Sequence, residues 1–572
     1  MESYSKQNKF TKFMYALIFK PHTKSRSKKR TYKKLIQKPY SSFEGKIIRK
    51  INIETLDPFG FSIGDSIVAK QTFLLKTENK LHLKSKNITI RNLLLIHQNQ
   101  KFDSLLAKES ERLVRNREYI RDVSFFVKTT SQKADSVDIF IRVLDNWSLI
   151  PEVMASTSNN TVHLTEKNFL GLGHEFQNTY SKDFSNGMNA FSTNYHIPNI
   201  RNTYISTTLH YEIDGHKNFS KSLAIDRPFY SPFAKWAGGV SFASQFRKDA
   251  LKDSNSVDVP LNLNFRTQDY WAGYALRIFK GNTVEARTTN LITTARYLRV
   301  RYLDNPSEID DPLRHYTSEN FYLTGIGLST RKYVQDKYIF RFGITEDVPV
   351  GKVYGLTGGY QIKNNFKRLY LGARISSGHY YPWGYLSTNF EYATFFHASN
   401  AEQGIITADV NYFTGLFEIG KWKFRQFIKP QLTIGIDRFS YDSLTINDGF
   451  GIDGFNSTNL LGSSRLLLTL QTQAYAPWNF IGFRFGPFFS FSLGVLGDAN
   501  TGFKNKKVYS QIGLGILIKN ENLILNTFQF SLSFYPVIPG YGSNVLKANS
   551  FKTTDFGFRD FEIGKPAIKV FE

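Results

Sequence analysis

The sequence predicts a mainly β chain: a long antiparallel barrel preceded by a small α+β domain. Three observations predict it. From about residue 147 onward, apolar and polar residues alternate with a period of two, in runs that reach ten residues or more. Aromatic residues are abundant, with 51 Phe, 31 Tyr and 6 Trp, and they gather where those runs end. Between residues 43 and 146 the pattern differs, because helical spacings sit between strand-like ones.

Composition sets the bounds. The chain has 572 residues, 73 Lys and Arg, 48 Asp and Glu, and no Cys, for a formal charge of +25. Without Cys there is no disulfide scaffold, no Cys-ligated zinc and no thiol chemistry. No apolar run approaches the roughly 18 residues that a spanning helix needs. Mean hydropathy is −0.32. That value is compatible with a membrane barrel, whose strands alternate and so average to near neutral.

Residues 1–42 read as a basic, disordered leader. Lys24, Arg26, Lys28, Lys29, Arg30, Lys33 and Lys34 crowd together there. Such a run binds phosphates in some settings, but no nucleic-acid motif follows it, so nucleic acid is not expected as a partner. Phe13–Phe19, preceded by Lys6, Lys9 and Lys12, is the sole candidate apolar core of an export signal, and no A-x-A site follows it.

The front domain reads as strand, helix, helix, strand, strand. Lys46–Thr55 is the first strand, with Ile47, Ile51 and Ile53 on one face. A helix is expected around Thr72–Leu83. Asp103 is a suitable N-cap for a second helix ending near Arg117, with Leu106, Leu113 and Val114 on its inner side. Ser124–Lys128 and the alternating Val137, Ile139, Ile141 and Val143 complete it.

The alternation behind it is clearest in Phe483, Phe485, Pro487, Phe489, Phe491, Leu493 and Val495, set against Arg484, Gly486, Phe488, Ser490, Ser492 and Gly494. Similar rows run through Ile428–Ile436, Ile512–Ile518 and Phe528–Phe534, and through Leu298, Val300 and Tyr302, which places Arg299 and Arg301 inward. Tyr380, Tyr381, Trp383 and Tyr385 suggest an interfacial aromatic girdle, as do Tyr475 and Trp478. Sixteen to nineteen strands can be drawn, and the even-number rule for single-chain barrels selects sixteen. A soluble sandwich or propeller fits less well, since no blade-length repeat is evident.

Thr89–Leu95, Lys101–Asp103 and Glu109–Val123 resemble a POTRA domain, the periplasmic module of the BamA/TamA-type outer-membrane assembly family. Asp145–Leu149 resembles that family's junction to the barrel, and Glu166–Gly173 its early barrel segment. The resemblance divides the chain into a POTRA-like domain over 43–146 and a barrel over 147–572. It implies a bacterial outer-membrane location with the N-terminal domain in the periplasm. It also implies assistance in inserting outer-membrane proteins, or translocation of polypeptide. The partners implied are membrane lipid and unfolded or exported polypeptide clients, with room for accessory periplasmic or lipoprotein subunits. No cofactor is implied.

The family's inward-folded loop ends in Arg-Gly-Phe or Arg-Gly-Tyr, with five strands after it. Asp448–Phe455 occupies the matching place. Ile452, Gly454 and Phe455 match, but Asp453 replaces the Arg, so the acidic partners that the resemblance implies for that Arg must differ here. The fifth strand is expected at Lys565–Phe571. Together with the first barrel strand it forms the candidate seam, marked by Pro151, Pro566, Ile568, Val570 and Phe571. The two prolines either weaken that seam or simply mark strand starts.

Enzyme signals are weak. Gly60–Gly64 fits G-x-S-x-G but sits in a turn-rich stretch beside Asp57-Pro58. The acidic residues of Asp448–Phe455 miss the EF-hand spacing, and the eleven His form no H-x-x-x-H or H-E-x-x-H pair. The expectation is a non-enzymatic protein without metal or catalytic residues. The alternatives are a passive pore or structural barrel, motivated by Asp453, and a dedicated secretion partner of one exported protein.

Overall fold

The computed structural model describes residues 38–59, 61, 63, 79, 82–131, 135–155, 159–252, 258–304, 311, 316–364, 366–439, 442–457, 460–480, 483–520, 527–537, 546–548 and 558–572. The leader up to residue 37, most of the expected helix at Thr72–Leu83, and Gly60, Ser62 and Gly64 of the G-x-S-x-G segment lie outside the described residues.

The front domain is a three-stranded sheet in the order β1-β3-β2. Its strands are β1 (Ile47–Leu56), β2 (Ile120–Thr129) and β3 (Ser136–Asp145). β1 runs parallel to β3, and β2 antiparallel. The described helices are α1 (Asn87–Arg91) and α2 (Ser104–Arg115). Asp103 caps α2 as its sequence predicts, its Oδ1 accepting from the amides of Leu105 (3.0 Å) and Leu106 (3.1 Å). Val137, Ile139, Ile141 and Val143 face the helices and are fully buried with Leu113 and Val114. The inner face of β1 differs from the sequence reading. An irregularity between Ile48 and Lys50 shifts the register, so Ile48 and Ile51 point inward and Ile47 is exposed.

The barrel follows. Its first strands are short: β4 (Leu149–Ala155), β5 (Asn159–Phe169), β6 (His174–Asp183), β7 (Asn189–Ile197), β8 (Ser206–Ile213) and β9 (Phe219–Arg227). The next are long: β10 (Trp236–Lys252), β11 (Asp258–Arg277), β12 (Thr289–Asp304), β13 (Glu319–Lys337), β14 (Thr345–Lys363), β15 (Phe366–Tyr381), β16 (Gly384–His397) and β17 (Asn400–Thr414). A short helix, α3 (Val284–Thr288), joins β11 to β12. The ring continues with β18 (Phe417–Ile419), β19 (Trp422–Ile436), β20 (Ser464–Tyr475), β21 (Asn479–Phe480), β22 (Phe483–Gly497), β23 (Val508–Asn520), β24 (Thr527–Phe534) and β25 (Leu546–Ala548). It closes with β25 beside β4. β18 and β21 are side pieces, because β17 also pairs β19 and β20 also pairs β22. About twenty described strands therefore go round the wall, not sixteen. The sequence count falls short in the first quarter of the wall, where strands such as His174–Asp183 (HEFQNTYSKD) are polar on both faces and give little alternation.

The outer surface is apolar. Tyr322, Ile326 and Leu328 of β13, Tyr354 and Leu356 of β14, Leu369, Leu371 and Ile375 of β15, and Phe530 and Leu532 of β24 all stand exposed on it. Exposed aromatics mark the rim nearest the front domain. The Tyr381 and Trp383 rings stack 4.8 Å apart, and Trp422 meets Trp478 edge-on at 4.9 Å. Tyr475, expected in that girdle, instead points inward and donates to the Ile339 carbonyl at 2.9 Å. Arg299 and Arg301 also differ from expectation. They are exposed on the outer face, near the end of β12 farthest from the front domain. The inward residue is Arg296, which reaches Asp269 across the wall. The hydrophobic alternation misleads here because the end of a strand that rises above an apolar band meets water on both faces.

The fifth strand after the loop is β25. Pro566, Ile568, Val570 and Phe571 belong to no strand. Pro151 alone of the candidate seam residues lies in a seam strand, β4, opposite Leu164 of β5.

Candidate functional site in the barrel lumen

Three structures meet the lumen. The first is the front domain, which covers one mouth. Arg115 of α2 forms a two-pronged pair with Asp347 of β14 (2.8 and 2.9 Å), Arg115 buried and Asp347 largely so. Arg112 donates to the Tyr230 carbonyl (3.2 Å) and lies 3.9 Å over the Tyr333 ring. Tyr204 donates to the Leu93 carbonyl (2.6 Å) while its ring stacks on Tyr230 at 3.6 Å. Burial holds both tyrosines above the usual phenol range, with the Glu109 carboxylate adding to it. Arg287 of α3 pairs with Asp103, the cap of α2. At the junction, buried Asp145 accepts from the Ser85 amide (2.7 Å) and contacts His82 (3.1 Å). A cavity of about 760 Å³ remains between α2 and the mouth, lined by Glu109, Arg112, Arg115, Arg331, Tyr333 and Asp347 among others.

The second structure is the loop between β19 and β20. It folds onto the inner wall at the opposite mouth. Ile452 and Phe455 are buried with Leu444, Ile446, Leu467, Leu496, Tyr509 and Tyr535. Gly454 has φ +71°, a conformation glycine adopts readily, and its amide donates to Asp448 Oδ1 (3.0 Å). The Asp448 amide donates to the Phe455 carbonyl (2.7 Å), closing the turn. The Asp453 carbonyl accepts from Tyr535 Oη (2.6 Å). The carboxyl of Asp453 is open to the lumen but enclosed by the barrel wall. That enclosure, with Asp448 alongside, pushes it up to about 6, and Lys429 of β19 pulls it the other way.

The third structure has no counterpart among the sequence expectations. Residues 558–572 run extended through the lumen, from the front-domain mouth to the inward loop. Phe558 packs among Phe340, Tyr385 and Phe413. Asp560 accepts from the Tyr333 hydroxyl (2.6 Å) and pairs with Arg331 (3.2 Å), which also pairs with Glu562. Arg559 bridges Glu391 (2.9 Å) and Asp409 (3.0 Å). Lys565 pairs with Asp269 (2.5 Å) and Lys569 with Glu391 (2.6 Å). Arg438 lies 4.0 Å over the Phe571 ring. Arg465 donates both to the Thr445 carbonyl of the loop (2.7 Å) and to the Glu572 carbonyl (2.6 Å), joining the two segments.

Glycines make room for this segment. A Cβ at Gly327 would sit 2.6 Å from Ile563, and one at Gly435 would sit 2.7 Å from Phe571. The wall residues Asp269, Arg296, Arg331, Arg374, Glu391 and Arg465 escaped the sequence reading. The available signal was weak: single charges in otherwise small, polar inward rows. Among the described residues, no group of three His, Asp or Glu is placed to hold a metal, and no helix is long and apolar enough to cross a membrane.

No family model and no curated protein matches the chain. Solved structures do. The chain is similar to BamA from Haemophilus ducreyi lacking POTRA domains 1–3, at 11% identity over 88% of this chain and 83% of that one, with a TM-score of 0.30. It is similar to CdiB from Acinetobacter baumannii at 8% identity over 94% and 95%, with a TM-score of 0.36. CdiB from Escherichia coli gives 10% identity over 88% and 75%, with a TM-score of 0.42.

Proposed function

We propose that this chain is an outer-membrane barrel of the BamA/TamA type that moves polypeptide into or across that membrane, with its front domain on the periplasmic side. The observation that carries this reading is the pairing of an apolar outer wall with a charged lumen that already holds an extended polypeptide. Hydrocarbon cannot satisfy the N–H and C=O groups of an incoming chain. A lumen lined with arginines and carboxylates can, and so can an opened sheet edge, by strand addition. The front sheet, the inward loop and the five strands after it support the same reading. The occupied lumen favours translocation over a passive pore, which would need an open path.

Depletion of the protein in its host, followed by quantification of the outer-membrane proteome, tests the proposal. Loss of many barrel proteins supports general assembly. Loss of one exported protein supports dedicated secretion. An unchanged proteome and secretome overturns both.

A further inference from the structure

We infer that the inner wall from β11 to β17 is a binding site for extended polypeptide, and that residues 558–572 are its exchangeable resident. Three observations lead there. First, the wall reads the main chain of the segment. Arg374 donates to the carbonyls of Asp560 (3.4 Å) and Glu562 (3.3 Å), Arg296 to that of Pro566 (2.9 Å), and Ser329 to that of Phe561 (2.6 Å). Tyr370 Oη accepts from the Lys569 amide (2.9 Å). Contacts of this kind accept any extended chain, because every residue offers the same groups.

Second, the segment is bound by side chains and joins no strand ladder. Its departure breaks no sheet, and an arriving chain meets a formed groove. Third, the groove has a charge order. Arg331 and Arg374 stand where the segment carries Asp560 and Glu562, while Asp269, Glu391 and Asp409 stand where it carries Lys565, Lys569 and Arg559. The preferred ligand is thus an extended polypeptide with a pair of acidic residues, as at Asp560 and Glu562, flanked on both sides by basic ones, as at Arg559, Lys565 and Lys569. Fifteen extended residues span roughly 45 Å, more than the hydrocarbon depth of a bilayer, so the site covers the whole crossing.

The inference rests on the membrane-barrel reading above, and the test separates the two. The full chain is placed in planar bilayers and its ion conductance recorded. Wild type is expected to conduct weakly, and the double variant Asp560→Lys/Glu562→Lys severalfold more, since both side chains then face Arg331. A synthetic peptide of the native sequence 558–572 should close the double variant again. The same peptide carrying both reversals should need at least ~10-fold more to do so, as a repelled partner costs at least one such factor. A second variant guards against misfolding: Lys565→Glu should open the channel, and adding Asp269→Lys should close it. Insertion with unchanged conductance in both variants overturns the inference alone, as does equal block by both peptides. A chain that never inserts in any form overturns the membrane reading as well.

Discussion

The wall that holds the lumen segment and the wall at the seam are built to different standards. β13 and β14 pair without interruption from Glu319↔Lys363 to Lys337↔Thr345. The described pairing of β24 with β25 covers three residues, Leu532↔Ala548 to Phe534↔Leu546. On the other side of the seam, β4 contains Pro151, which has no amide to donate. The tall side is a fixed template whose glycines and charges are shaped around a polypeptide. The seam is the stretch of the ring held by the fewest described backbone bonds. In one molecule, binding is assigned to the rigid side and any lateral opening to the weak one.

The predictions probe that division, beginning with the largest effect. Arg115→Ala strands Asp347 in the mouth without its partner. Breaking a buried pair in this way should cost about 3 kcal/mol or more. It should appear as a lowered unfolding midpoint and faster proteolytic release of the front domain from an intact barrel. Gly435→Ala acts on the template side. The new methyl would press on Arg438 Cγ and on the edge of the Phe571 ring, so the ring should be displaced at a cost of about 1 kcal/mol. Faster hydrogen exchange confined to residues 565–572 would register it, with the barrel strands unchanged. Pro151→Thr acts on the seam. Restoring one amide donor should strengthen β4 by about 1 kcal/mol, and exchange in β4 and β5 should slow.

Residues that share an element were legible in the sequence, and residues that meet across the lumen were not. The inward loop could be placed because Gly454, Phe455 and four of the five following strands lie along one stretch of chain. Lys565–Phe571 was misread because Ile568 and Val570 alternate as a strand would. What sets their place is the pairing of Lys565 with Asp269 and Lys569 with Glu391, partners well over a hundred residues away. No period in a sequence reports such a match. The short strands β5–β8 were undercounted for a different reason: with polar residues on both faces, they carry too little contrast to register.

The smallest predicted effect concerns Asp453. Its carboxyl is raised from 3.8 to about 6 in the folded chain. Docking of the loop should therefore be firmest below about pH 4 and weaken as pH rises through about 6. The carboxyl is open to lumen water, so the difference should stay under about 1 kcal/mol. Asp453→Asn should make the loop's protection factors, corrected for intrinsic exchange, independent of pH over that range, matching wild type at acid pH and exceeding it at pH 8.

The most direct measurement uses a photo-crosslinking phenylalanine in place of Tyr370, whose hydroxyl contacts the Lys569 amide in the groove. In host cells, the chain with its native lumen segment should crosslink to itself, at or near Lys569. In the Asp560→Lys/Glu562→Lys background the same position should capture other polypeptides, identifiable by mass spectrometry. Self-crosslinks alone in both backgrounds, or no protein adducts once the segment is displaced, would contradict the claim that this lumen is a path for polypeptide.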